Sequence, residues 1–152
     1  MRVVLQKVQK AHVSINNTTV GSIAEGFCIL LGIKEGDTQK DTDWLVEKVC
    51  KLRLFADPGS QTFMDKNILD VGGSMLVVSQ FTLYGDCKKG TKPSFSGAAR
   101  PEQAEPLYEY FVEKVREKGI EVQTGRFGEH MQVHIVNDGP ITLLIDSPEA
   151  QG

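Results

Sequence analysis

The sequence has no apolar run long enough to cross a membrane: its longest, Phe27 to Ile33, is far below the ~20 residues a span requires. The residues after Met1 show no export pattern either, so a cytosolic chain without an anchor is the expectation. Cysteine is sparse. Cys28, Cys50 and Cys87 are odd in number, widely spaced and outside any CxxC pair, which argues against a disulfide framework and against a zinc knuckle. The three histidines, His12, His130 and His134, are too few and too scattered to force a metal site, so no metal and no cofactor are expected. Basic charge is also short, with a formal net charge of −3, which excludes nucleic-acid binding through bulk charge. Any RNA contact has to be local. The place for one is Asp86 to Arg100, where Lys88, Lys89, Lys92 and Arg100 stand with a single acidic residue amid Gly, Ser and Pro. By composition alone that segment reads first as a solvated loop.

What is present fits one ordinary domain: 152 residues, 40% apolar and 24% charged, enough to bury a core over 1–152. From Arg2 to Ile33, short β-type runs (Val3 to Leu5, His12 to Ile15, Phe27 to Leu31) are broken by Asn16-Asn17, Gly21 and Gly26, a pattern that predicts a β-meander. Between Asp37 and Arg53, Leu45, Val49 and Leu52 recur at helical spacing. Thr38 and Asp41 fit a capping box there, and Glu47 and Lys51 an i,i+4 pair. A second helix is predicted from about Pro101 to Lys118, stopped by Gly119, with its apolar face on Ala104, Leu107, Tyr108, Phe111, Val112 and Val115. Pro106 is harmless in the first turn of that helix and disruptive further in. Met75 to Val78 reads as a strand buried on both faces, ending in Ser79-Gln80-Phe81-Thr82. Met131, Val133 and Ile135 alternate with Gln132, His134 and Val136, and a turn at Asn137 to Pro140 leads into the apolar run Ile141 to Ile145. The expected layout is α+β, mainly strands with two helices packed on them.

Nucleophilic chemistry is poorly represented. Ser79 lacks a GxSxG elbow, and neither Ser79 nor Thr82 has a neighbouring acid–base pair in sequence. Lys88 and Lys89 would favour a Cys87 thiolate, but no His partner is evident. His134 beside the second motif reads first as a strand-face residue and only second as a general base. Gly139-Pro140 reads as a tight turn opening a strand, with a trans bond favoured because only about 5–6% of X-Pro bonds in folded proteins are cis.

Two motifs narrow the field: Ser79-Gln80-Phe81-Thr82 and Asn137-Asp138-Gly139-Pro140-Ile141-Thr142 resemble the paired motifs of the D-aminoacyl-tRNA deacylase family, also known as D-tyrosyl-tRNA deacylases. Met1 to Gln6, Gly90 to Ser96, Thr124 to Gly128 and Met131-Gln132-Val133 are similar to the family in the same order, so the resemblance covers essentially the whole chain. It implies a compact, β-rich, barrel-like mixed sheet with two helices, homodimeric, in which Gly139-Pro140 of one subunit enters the site of the other through a cis bond. The implied reaction is hydrolysis of the ester joining a D-amino acid, or mischarged glycine, to tRNA. The Gly-Pro wall rejects L-amino acids, and catalysis relies on the terminal 2′-hydroxyl of the RNA and water. On this resemblance the catalytic positions are Gln80, Phe81 and Thr82, through backbone N–H groups. Ser79, Met131, Asn137, Gly139, Pro140 and Thr142 bind substrate, and Lys88, Lys89 and Lys92 bind tRNA. Lys7 departs from the arginine usual after the Gln, exchanging a planar fork for a point charge in whatever it supports. Two alternatives stand beside this reading. One is a non-catalytic nucleic-acid-binding module using the Lys88 to Arg100 loop, which the non-basic run Ser147 to Gly152 does not favour. The other is a small-ester hydrolase acting through Ser79, Thr82 or Cys87.

Overall fold

Strand β1, Arg2–Ile15, carries apolar residues at 3 and 5 and again at 8, 11 and 13, and the break in that alternation organises the molecule. In a computed structural model, which describes residues 1–59 and 61–149, β1 is one continuous strand across both of the short runs expected there. Val3 and Leu5 face the helices, whereas Val8, Ala11 and Val13 face the opposite side of the sheet. Gln9 and Lys10, consecutive and both exposed, mark the slip, and the pairing register shifts between Val8 and Lys10. One strand thereby feeds two apolar cores.

The remaining strands are β2 (Thr18–Ile23), β3 (Gly26–Gly32), β4 (Ser74–Ser79), β5 (Glu121–Thr124) and β6 (Gln132–Asp146). Five of them run in the order β2-β1-β3-β4-β5, and β6 pairs with β1. The predicted meander is corrected here to one long hairpin, because β2 and β3 lie end to end along the same edge of β1 and β6 takes the other edge. Asn16 and Asn17, at φ 48° and 65°, make the two-residue hairpin that folds β2 back on β1, and β3 continues in the same register, Ile23 opposite Ala11 and Gly26 opposite Val8. β3, β4 and β5 are parallel to one another. Strand β5 had no counterpart in the sequence reading; four residues with one buried side chain leave little alternation to detect.

The sheet curls until β2 meets β5. A Cβ at Gly21 would stand 2.5 Å from the carbonyl oxygen of Thr124, so only a glycine permits this approach. The inner core of this barrel-like sheet is built on Val8, Ala11, Val13, Cys28, Leu76 and Val78. Helices α1 (Gln39–Lys51) and α2 (Pro101–Glu117) cover the outer face over Val3, Leu5, Phe27, Ile29, Met75 and Val77. The architecture is α+β. Helix α1 starts as expected, with the Thr38 N–H donating to the Asp41 carboxylate at 2.8 Å. Pro101 opens α2, where its missing N–H is free of cost, and Pro106 sits inside the helix, leaving the Glu102 carbonyl without that donor while the helix continues to Glu117. The Met1 amino group, fully buried, bonds Asp37 at 2.9 Å and the Ser147 hydroxyl at 3.0 Å, tying the start of β1 to the entry of α1 and the segment after β6. Among the described residues no helix is long and apolar enough to cross a membrane. Residues 150–152, the end of the non-basic C-terminal run, lie outside the described residues.

Candidate active site

The Asn137 to Thr142 motif is not a turn between two strands but an excursion within one. On β6, Val136 pairs with Lys10 and Asn137 with Val8, and pairing resumes at Thr142 opposite Gln6. Residues 138–141 stand off the ladder opposite Lys7, a bulge that projects Gly139 and Pro140 outward. The spacing of the motif explains how the strand recovers its register. The Asn137 amide donates to the Thr142 hydroxyl at 2.8 Å, and its carbonyl accepts from the Ile141 N–H at 3.2 Å. Gln6 adds a longer bond to Thr142 at 3.4 Å. Asn137 and Thr142 therefore bracket the loop. The Gly139-Pro140 peptide is cis. Lys7 lies with Nζ 3.8 Å from the Asp138 carboxylate and 5.0 Å from the centre of the Phe55 ring, so the point charge expected there acts on the residue before Gly139.

The first motif does lie at a strand end. Ser79 closes β4, and after Gln80 the chain makes one turn of 3-10 helix, Phe81–Tyr84. The Gln80 N–H donates to the Leu31 carbonyl at 2.8 Å, continuing the parallel pairing with β3. That is a correction: of the three N–H groups expected to act as donors, the one on Gln80 is already engaged. The next two, on Phe81 and Thr82, open the turn and have no acceptor inside it, and among the described residues neither meets a backbone carbonyl. The Gln80 side-chain amide donates to the Thr82 hydroxyl. A neutral amide cannot take a proton from that hydroxyl, so the contact does not make Thr82 a nucleophile.

Beside this turn, at the carboxyl ends of β3 and β4, opens a cavity of about 500 Å³. Leu31, Val78 and Ser79 form its floor, Gln80 and Phe81 one wall, Phe95 to Ala104 another, and Phe127 to Val133 the third. Phe81, 56% exposed, meets Phe95 edge-to-face at 5.2 Å, giving the mouth two aromatic surfaces. Met131 lines the cavity with Ser79, Gln80 and Phe81, whereas Thr82, Asn137, Gly139, Pro140 and Thr142 do not. One chain thus does not bring its two motifs together. Sequence reasoning assigned no role to Phe95 or Phe127, although both fall within the stretches that carried the family resemblance.

His130 lines the cavity with Ser79, with no hydrogen bond between the two, and other reactive groups stand apart. Burial pushes the Cys28 thiol up to about 12 and the Cys50 thiol up to about 11, while Cys87 is exposed on the loop beyond the turn. His134 stacks on His12 across the β1–β6 ladder, ring centres 4.1 Å apart, a strand-face arrangement. Lys88, Lys89 and Lys92 are exposed at the tip of a loop closed by paired bonds between Asp86 and Ser94 at 2.7 and 2.9 Å.

An apolar cavity flanked by unpaired main-chain donors suits a hydrolase that steadies a developing oxyanion with its backbone. The family described as D-Tyr-tRNA(Tyr) deacylase matches residues 4–146. Relatives called D-aminoacyl-tRNA deacylase include one from Picosynechococcus, 52% identical over 96% of each chain, and one from Thermus aquaticus, 50% identical over all of this chain and 99% of its own. The chain belongs to the D-aminoacyl-tRNA deacylase family, a family of hydrolases. Among solved structures, the c-Myc DNA unwinding element binding protein is similar at TM-score 0.90 and 40% identity, over 97% of this chain and 99% of its own. A probable eukaryotic D-amino acid tRNA deacylase shares the fold at TM-score 0.80 and 20% identity, over 95% of this chain and 98% of its own.

Proposed function

We propose that this chain hydrolyses the ester of D-aminoacyl-tRNA, and of glycine mischarged on tRNA, in the cytosol, releasing free tRNA and amino acid. The observation that carries the reading is the pair of unengaged N–H groups on Phe81 and Thr82 beside the cavity, in a site where, among the described residues, no hydrogen bond joins Ser79 or Thr82 to a histidine. Such donors stabilise the oxyanion of ester cleavage without a covalent intermediate. The attacking water is then assisted by the 2′-hydroxyl of the terminal adenosine, with Thr82 in a positioning role. The apolar cavity between Phe81, Phe95 and Met131 takes the end of the RNA, and Lys88, Lys89 and Lys92 take phosphates outside it.

The working unit is a homodimer. Gly139 and Pro140 are exposed and absent from the cavity of their own chain, which supports a second copy bringing them to it. Among the described residues β6 pairs with β1 alone, and it leaves Leu144 at 62% and Val136 at 40% exposure, apolar surface for that copy to cover. The partner's Gly-Pro loop forms the wall that meets an L side chain and leaves a D side chain free. Deacylation of matched D- and L-tyrosyl-tRNA tests the proposal. Selective release of D-tyrosine is expected, and tRNA binding without turnover would sink it. That second outcome is the reading as a nucleic-acid-binding module, which the name of the 40% identical solved structure favours.

A further inference from the structure

We infer that Arg2 is a positioning residue, which holds from outside the cavity the 3-10 turn whose Phe81 and Thr82 N–H groups serve as oxyanion donors; the inference rests on the deacylase reading. Arg2 opens β1 and does not line the cavity. Its guanidinium bonds in two directions. Nε and Nη2 donate to the two oxygens of Asp146 at 2.7 and 3.2 Å, a fork that fixes the guanidinium plane. Nη1 donates to the carbonyl of Leu83, inside the turn, at 3.1 Å. The cation lies 5.2 Å from the centre of the Tyr84 ring, the last residue of the turn.

The Leu83 carbonyl is where the turn needs help. Two backbone bonds close it, Leu83 N–H to Gln80 at 3.2 Å and Gly85 N–H to Thr82 at 2.9 Å. The following donor, the Asp86 N–H, turns away to Ser94 at 2.7 Å, and Arg2 supplies a donor to Leu83 in its place. A single 3-10 turn does not hold its own shape. From below it rests on Gly32, which pairs with Arg2 across β1 and β3. A methyl at Gly32 would stand 3.0 Å from Leu83 Cβ and 3.2 Å from the Gln80 carbonyl. Gly32 therefore sets how deep the turn sits, and Arg2 sets its far end. A lysine could not fork onto Asp146 while directing a further N–H at Leu83. Asp146 also ends β6, so the same guanidinium ties the donor turn to the strand that bears Gly139 and Pro140.

The test compares wild type with Arg2→Met, Arg2→Lys and Asp146→Asn in steady-state deacylation of D-tyrosyl-tRNA, alongside amide hydrogen exchange. Outright loss of one oxyanion donor costs about 10²–10³ in kcat. Loosening the turn should cost part of that, so Arg2→Met is expected to lose about tenfold or more in kcat with KM within about twofold. Arg2→Lys should fail to restore wild-type kcat, and Asp146→Asn, which keeps the bond to Leu83, should fall between. Exchange at the Leu83 and Gly85 amides should quicken about tenfold in Arg2→Met while the β1 amides from Val3 to Val8 stay protected. A lowered melting temperature and faster exchange throughout β1, with kcat per folded molecule unchanged, would overturn the inference in favour of a merely structural role. So would Arg2→Met turning over within about twofold of wild type. Should Arg2→Met not fold, the other two variants carry the same readouts. An inactive wild type defeats the deacylase reading instead, and unchanged protection at Leu83 and Gly85 then defeats this one separately.

Discussion

Alanine at Gly139 adds one methyl group where the backbone and its neighbours both resist it. Gly139 has φ +122°, a region L side chains rarely adopt, and holding a non-glycine residue there costs about 1–3 kcal/mol. The new Cβ would stand 2.8 Å from Ile141 Cγ1 and 3.0 Å from the Ile141 backbone nitrogen. The Ile141 side chain can rotate, but its backbone nitrogen can yield only by drawing the N–H away from Asn137, the bond that closes the loop, which adds about 1 kcal/mol. A total of about 2–4 kcal/mol leaves a domain of ordinary stability folded. It should lower the melting midpoint by about 4–16 °C in a chain of this length. If the loop completes the site of a partner subunit, deacylation of D-tyrosyl-tRNA should fall further than stability does, by about 100-fold well below the midpoint. Gly36→Ala is the control: φ is +89° but nothing lies within 4 Å, so it should show the backbone cost alone with turnover unchanged. A Gly139→Ala protein that melts within about 1 °C of wild type and keeps full turnover would refute both the constraint and the role of the loop.

Thr82→Ala should keep substantial turnover, whereas a substrate lacking the terminal 2′-hydroxyl should lose kcat more than binding; the reverse pattern would make Thr82 the nucleophile. Replacing Lys88, Lys89 and Lys92 together by Glu should weaken tRNA binding and flatten its log–log salt slope by about 0.7–0.9 for each phosphate no longer neutralised, with no change in the melting curve. Iodoacetamide should label Cys87 alone in the folded protein, since burial holds the Cys28 and Cys50 thiols up to about 12 and 11, and peptide mapping after labelling reads this directly. Asp41→Asn should flatten the acid limb of stability in urea melts from pH 7 down to pH 3. Burial alone would raise this carboxyl, but the Thr38 N–H and the Ser147 hydroxyl outweigh it and hold it below the usual range. Its contribution is therefore present above the unfolded value, about 3.9, and is lost as pH falls through the lower folded one.

Helix α1 with its capping Thr38, helix α2 with Pro101 at its start, and the buried strand at Met75 to Val78 were all legible in the sequence, because each rests on spacing within a few residues. The apolar run at Phe27 to Leu31 was legible for the same reason. Its parallel pairing with β4 was not, since that pairing joins residues nearly fifty positions apart. The first motif could be read as a strand end. Which of its N–H groups stays unengaged could not, because Gln80 is satisfied by Leu31, nearly fifty positions earlier.

The same division holds for the second motif and for the residue that supports the first. Local chemistry marked Asn137 to Pro140 as a turn, an interruption between two strands, and the identity of the residues was enough to tie the chain to its family. That the interruption is a bulge, with pairing to β1 on both sides, was decided only when Gln6 and Val8 took up Thr142 and Asn137. Arg2 stood in the sequence as the second residue of a family-like opening and nothing more. Its place beneath the donor turn exists because β1, β6 and the turn meet at one corner, bringing Leu83 and Asp146 within hydrogen-bond reach of one guanidinium. Spacing along a chain encodes which face of a helix or strand is apolar. It does not encode which distant backbone group will arrive unsatisfied, and that pairing is settled only when the sheet closes.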